Sequence, residues 1–84
     1  MTTAASAGIM GDPELKLWVD AGVTEKQIQS WMREFDSTSE EISESLRYAA
    51  HDIIARKNVQ NPVNWFYQIM IRDGRYPRPQ SYAY

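Results

Sequence analysis

The sequence predicts an all-α fold, a compact bundle of about four short helices. Three observations predict it: apolar residues recur at helical spacing, no segment alternates apolar and polar residues like a strand, and glycine, proline and capping residues divide the chain into helix-sized segments. A length of 84 residues allows one domain. We expect a flexible leader over residues 1–11, the bundle over 12–74, and an extended basic and aromatic tail over 75–84.

The first two helices are predicted over residues 13–21 and 25–35. Asp12 is a good N-cap for the first helix, and Gly22 ends it because glycine adopts the left-handed conformation without steric cost. Thr24 caps the second helix. The predicted apolar faces of the two helices contain Leu15, Trp18, Val19, Ile28, Trp31, Met32 and Phe35.

The third helix, over residues 39–57, is the longest. Thr38 and Glu41 have the spacing of a capping box, in which each side chain bonds the backbone N–H of the other residue. Acidic residues at the start of this helix and basic residues at its end stabilise it by interacting favourably with the helix dipole. Its predicted apolar face contains Ile42, Leu46, Ala49, Ala50, Ile53 and Ile54.

The fourth helix is predicted over residues 62–73, from the Asn61 cap to Gly74. Its apolar face contains Val63, Phe66, Ile69 and Met70. Beyond Gly74, Pro77 and Pro79 exclude a helix and favour an extended path.

The composition argues against several kinds of function. The chain has no cysteine and a single histidine, His51, so disulfides and thiolate chemistry are excluded and we expect no metal and no cofactor. No serine or cysteine nucleophile is placed to pair with His51, and no glycine-rich phosphate loop occurs. We therefore predict a protein that is not an enzyme. No apolar run is long enough for a membrane span and no secretory signal is recognisable, which favours the cytoplasm.

Charge is divided along the chain. Residues 1–52 contain four basic and ten acidic residues, a formal charge of −6, whereas residues 53–84 contain five basic residues and one acidic residue, a formal charge of +4. One interpretation is that the two parts have different partners. The other is that the two parts attract each other within the fold or are simply solvated surface.

The basic residues of the last third alternate with rings and amides, a pattern typical of proteins that bind single strands by stacking and phosphate contacts. We expect arginines 72, 75 and 78 to contact phosphates and the rings of Trp65 and Tyr76 to stack on bases. Phe66 belongs to the core by its spacing, which leaves Trp65 or Tyr67 for a surface role. The predicted nucleic-acid-binding residues are Arg56, Lys57, Asn61, Trp65, Arg72, Arg75, Tyr76 and Arg78.

The chain also resembles a known module over about 60 residues. Residues 21–24 would form a glycine-containing helical hairpin, 42–54 the long helix and 58–62 an asparagine-containing turn. Trp65 and Ile69 match the first two positions of an aromatic–x–x–x–Ile–x–x–x–Trp pattern, and Asp73 replaces its final Trp. These features resemble the C-terminal helical module of DnaD-like and DnaT-like primosomal proteins and of plasmid, phage and mobile-element replication initiators. The resemblance implies single-stranded DNA binding in replication or replication restart, contact with a helicase, loader or initiator protein, and homo-oligomerisation.

Two other functions stay open from the residues alone. The chain could be a protein-interaction adaptor or regulator that does not bind nucleic acid, with a binding face at Glu40, Glu41 and Glu44 or at exposed aromatic residues. It could also form a homodimer through exposed Trp and Tyr side chains. The tail has alternatives of its own: a partner protein could bind it as an extended peptide, or it could fold back so that Tyr82 and Tyr84 cover apolar surface.

Overall fold

The computed structural model describes residues 15–80 and 82, and this part of the chain has four helices and no strand, which confirms the all-α prediction. The longest helix, α3, packs against each of the other three. The predicted leader, the Asp12 cap and the start of the first predicted helix lie outside the described residues. The helices are α1 (Lys16–Asp20), α2 (Glu25–Glu34), α3 (Ser39–Arg56) and α4 (Pro62–Asp73).

Three helices begin at the predicted side-chain caps. The Thr24 hydroxyl accepts a hydrogen bond from a backbone N–H in the first turn of α2. At α3 the capping box is complete, because Thr38 N–H donates to the Glu41 carboxylate at 2.8 Å and Glu41 N–H donates to the Thr38 hydroxyl at 3.1 Å. At α4 the Asn61 amide oxygen accepts from the backbone N–H of Asn64. These bonds satisfy N–H groups that have no partner inside their helices.

A residue with a positive φ angle ends or follows each of the four helices described, and beyond α2 this residue is Asp36 (φ 50°). Gly22 (φ 94°) lies just beyond α1, and Gly74 (φ 81°) ends α4 as predicted. Lys57 was predicted to be the last residue of α3, but it is the C-cap, with a φ of 63°. The left-handed conformation costs a non-glycine residue about 1–2 kcal/mol. The helix α3 therefore ends at Arg56, and the rest of the fold must stabilise the left-handed conformation of Lys57.

The core is built around the ring of Phe66 from α4. Its centroid lies 5.4 Å from that of Trp18 on α1, 5.0 Å from that of Trp31 on α2, and 6.4 Å from that of Tyr76 beyond α4. The Trp18 indole N–H donates to the Leu46 carbonyl at 2.8 Å, so the buried ring is also satisfied as a donor. The other buried apolar residues are Leu15, Val23, Ile28, Ile42, Leu46, Ala49, Ala50, Ile53 and Met70.

Two residues assigned to apolar faces are exposed instead. Val19 is 45% exposed and Ile54 is 62% exposed. Each follows a buried residue directly, Trp18 in α1 and Ile53 in α3, and consecutive helical residues point about 100° apart. The buried stripe in each helix is therefore narrower than the spacing predicted.

The segment after α4 packs back onto the bundle. Tyr76 is only 2% exposed, so the core includes a residue beyond Gly74. Tyr82 lies edge-on to the rings of Tyr48 (5.0 Å between centroids) and His51 (5.6 Å), which confirms the fold-back alternative for Tyr82. Tyr84 is outside the described residues. None of the helices described has the length and apolar character needed to cross a membrane.

Candidate nucleic-acid interface

The side chain of Trp65 is the centre of the candidate interface. Trp65 lies in the first turn of α4, directly before Phe66, and this position leaves its ring half-buried at the edge of the core. The guanidinium of Arg56, at the end of α3, lies over the ring, 4.9 Å from its centroid. The Trp65 indole N–H donates to the Tyr76 hydroxyl at 3.0 Å. The ring is therefore held in place while part of it faces solvent.

Two open recesses share Trp65 and Asn64 as a wall. The first, which we name the amide recess, has a volume of about 370 Å³, and the second, the arginine groove, has a volume of about 470 Å³. The amide recess is lined by Asn58, Val59, Gln60, Asn61, Asn64 and Trp65. The arginine groove is lined by Asp52, Arg56, Asn64, Trp65, Gln68, Ile69, Arg72, Tyr76 and Pro77.

Two arginines line the arginine groove. Arg56 contacts the Trp65 ring, and Arg72 donates to the carboxylate of the adjacent Asp73 at 3.1 and 3.2 Å. The bond to Asp73 raises the pKa of Arg72 above its ordinary value. Both members of this pair are exposed, so solvent screens their attraction and the pair is weak. An incoming phosphate can therefore compete with Asp73 for this guanidinium.

The other two predicted phosphate-binding arginines lie outside both recesses. Arg75 forms an ion pair with Glu41 at 2.9 Å, which joins the basic end of the chain to the acidic part. The bond from Thr38 N–H and the charge of Arg75 together lower the pKa of Glu41. Arg78 lies 6.0 Å from the centroid of the Tyr82 ring. Arg75 thus contacts the bundle, whereas Arg78 contacts a ring of the tail itself. The attraction between the two charged parts is realised in at least one ion pair.

The prediction that Tyr76 is an exposed stacking ring is wrong. Its ring lies nearly parallel to that of Phe66, and its hydroxyl donates to the Asp52 carboxylate at 2.7 Å while accepting from Trp65. Its backbone N–H donates to the Ser45 hydroxyl at 3.3 Å. Burial is the main cause that raises the pKa of Tyr76 to about 12. Tyr76 therefore orients Trp65 and does not offer a face to a base.

Tyr67, the other ring considered for a role at the surface, contacts residues at the end of α2. It packs against Phe35 with 5.7 Å between ring centroids, and its hydroxyl donates to Glu34. This bond is the main cause that raises the pKa of Tyr67. Because Tyr67 joins α4 to α2, Trp65 is the ring of this pair that lines the recesses.

The structure brings together five of the eight predicted site residues around the two recesses, namely Arg56, Asn61, Trp65, Arg72 and the buried Tyr76. Lys57 follows Arg56 directly and is exposed. The predicted site residues did not include Gln68 or the amides at positions 58, 60 and 64. The spacing of Asn64 and Gln68 could have indicated them, because Asn61, Asn64 and Gln68 recur every three or four residues. Asn64 and Gln68 therefore share a face of the helix, close to Trp65.

Within the described residues, no group of three or more acidic or histidine side chains is placed to hold a metal ion. A comparison with protein-family models gives no match, and searches of curated proteins and of solved structures give no significant match either.

Proposed function

We propose that this chain is a non-catalytic module that binds single-stranded nucleic acid, most simply single-stranded DNA, through the surface around Trp65. The observation that supports this proposal is the half-buried Trp65 ring, held by Arg56 and Tyr76 between two open recesses. A base can stack on this indole when the Arg56 guanidinium, which lies over the ring, moves to a neighbouring phosphate. The other cations nearby offer further phosphate contacts.

The residues have separate roles in this proposal. Trp65 stacks on one base, an interaction that contributes about 1–3 kcal/mol and tolerates any base. Arg56, Arg72 and Lys57 contact phosphates, and all three are exposed. Tyr76 is a positioning residue, since it acts through the Trp65 indole N–H. Arg75 and Arg78 lie outside the recesses and are not needed for binding.

The cellular context is proposed from the resemblance to DnaD-like and DnaT-like modules alone. It suggests an accessory role in DNA replication or replication restart, with a helicase, loader or initiator protein as a partner and with self-association. The two parts of the proposal are separable, because nucleic-acid binding is measured on the purified chain and the replication partner is not required for it.

The proposal is tested by the fluorescence anisotropy of a labelled oligo-dT during titration with the protein. Three phosphate contacts on a single strand give a log–log salt slope of about −2, so the affinity should fall roughly 20-fold between about 50 and 200 mM salt. Trp65→Leu removes the stacking ring and keeps apolar volume, and it should weaken binding about 5- to 150-fold. Circular dichroism would establish that the variant is folded.

A matched pair of arginine variants tests the phosphate contacts. Arg72 and Arg33 are both exposed and lie in the last turn of a helix, but only Arg72 lines the groove. Arg72→Ala should reduce the salt slope by about 0.7, and Arg33→Ala should leave it unchanged. Absence of binding at low salt would refute the proposal. Binding that does not depend on salt, or equal effects of the two variants, would refute the phosphate contacts.

A second candidate function is a protein-interaction adaptor. Exposed apolar side chains favour it, because Ile54 is 62% exposed and Ile71 is 56% exposed. Copurification of a protein partner, together with no affinity for oligonucleotides, would select the adaptor over the nucleic-acid-binding module. Sedimentation velocity would separately decide whether the chain forms a homodimer.

A further inference from the structure

The amide recess differs from the arginine groove in the chemistry of its walls. Four of its six lining residues have amide side chains, and neither a basic nor an acidic residue lines it. An uncharged lining suits neither a phosphate nor a carboxylate, since each of these anions is bound most strongly by charged donors. The recess therefore fits an uncharged partner that has both donors and acceptors. The four amides are Asn58, Gln60, Asn61 and Asn64.

The position of the recess beside Trp65 limits what this partner can be. A base stacked on the Trp65 ring has its hydrogen-bonding edge beside the ring and not above it. Because the amide recess is bounded by that same ring, the edge of the base can lie next to the recess. Asn61 is also held in orientation, because its amide oxygen accepts from Asn64 N–H at 3.1 Å, which leaves its NH₂ group as the donor. The recess is thus a place where the edge of a stacked base meets amide donors and acceptors.

We infer that the amide recess recognises adenine in single-stranded DNA. Amide side chains pair with the N6 and N7 atoms of adenine through two hydrogen bonds, whereas guanine is read mainly by Arg or Lys and the N4 group of cytosine by Asp or Glu. None of those charged residues lines the recess. This inference rests on the proposed function and adds a base preference to it. Stacking alone would leave the site tolerant of any base.

The test uses an oligo-dT in which one central position is dA, dC or dT, so that the strand does not stack on itself. A bidentate pair discriminates by about 1–3 kcal/mol, so the dA strand should bind about 5- to 150-fold more tightly than the other two. Replacing the central base with 7-deazaadenine removes the N7 acceptor and should lower the affinity towards that of dT.

Two matched amide variants assign the effect to the recess. Asn64 and Gln68 lie one turn apart on α4, both are exposed, and only Asn64 lines the amide recess. Asn64→Ala should abolish the preference for dA and keep binding to oligo-dT, while Gln68→Ala should keep the preference. Asn58→Ala provides a second variant outside the helix, should Asn64→Ala fail to fold.

The outcomes separate this inference from the proposed function. Equal binding of the dA, dC and dT strands overturns the inference and leaves the single-strand proposal intact. A dA preference that survives Ala substitution of each of the four amides also overturns it, because the discrimination would then come from another part of the surface. No binding to any strand at low salt overturns both.

Discussion

Replacing Tyr76 with Phe isolates the contribution of one buried hydroxyl. The ring stays beside Phe66, but the bond from Trp65 (3.0 Å) and the bond to Asp52 (2.7 Å) are lost. A neutral bond contributes about 0.5–1.5 kcal/mol and a bond to a charged group about 1.5–3 kcal/mol. Because Trp65 and Asp52 are each partly exposed, water can replace part of what is lost. We therefore expect the free energy of unfolding to fall by about 2 kcal/mol, near the lower limit of the combined range.

Thermal and urea unfolding followed by circular dichroism measure this loss. About 2 kcal/mol corresponds to a decrease in Tm of about 8–16 °C for a domain of this size. Tyr67→Phe is the matched control, because it also removes a hydroxyl bonded to a carboxylate, that of Glu34, but at an exposed position. The control should change the stability far less than Tyr76→Phe does, because water replaces an exposed bond. Equal losses in the two variants would refute the reasoning that burial determines the difference.

Three further predictions concern the ends of α3 and the titration of Tyr76. Lys57→Gly should raise the free energy of unfolding by about 1 kcal/mol, because Lys57 has a φ of 63° and glycine adopts this conformation without steric cost; unchanged stability in urea would contradict this. Thr38→Ala removes the acceptor at the start of α3 and should destabilise the fold by about 1 kcal/mol, whereas Thr38→Ser should retain most of the stability. The pKa of Tyr76 is raised from 10.0 to about 12, so the folded protein holds this proton more tightly than the unfolded chain. The stabilisation is complete below pH 10 and is lost as the pH rises towards 12; Tm should therefore fall more steeply over this interval in the native protein than in Tyr76→Phe, and parallel curves would refute the assignment.

The helices could be predicted because their boundaries depend on neighbouring residues. The limits of α4 agree with the structure at both ends, since Asn61, Pro62 and Gly74 each act within one helical turn. The predicted end of α3 was wrong by one residue, at Lys57. A basic residue after Arg56 interacts equally well with the helix dipole as a last helical residue or as a cap, so the sequence does not distinguish the two. Such signals define where helices begin and end but not which residues stay exposed between them.

The position of Tyr76 could not be predicted, because its environment comes from distant parts of the chain. Its partners Ser45 and Asp52 are 31 and 24 residues away, and its burial depends on how the chain turns after Gly74. An aromatic residue between basic ones has the same local pattern whether it stacks on a ligand or packs in a core. The charge pattern located the candidate region but did not distinguish Arg72, in the groove, from Arg75, which pairs with Glu41.

The burial of Tyr76 also decides where this protein can be shortened. A fragment that stops at the end of α4 would leave an empty space beside Phe66 and remove the acceptor for the Trp65 indole. If a deletion is designed to stop at the end of a helix, the fragment loses binding because its fold is damaged. That loss of binding would be misread as the loss of a binding residue. A useful minimal fragment retains the residues through Pro77, and differences between longer fragments can then be attributed to the part of the chain that was removed.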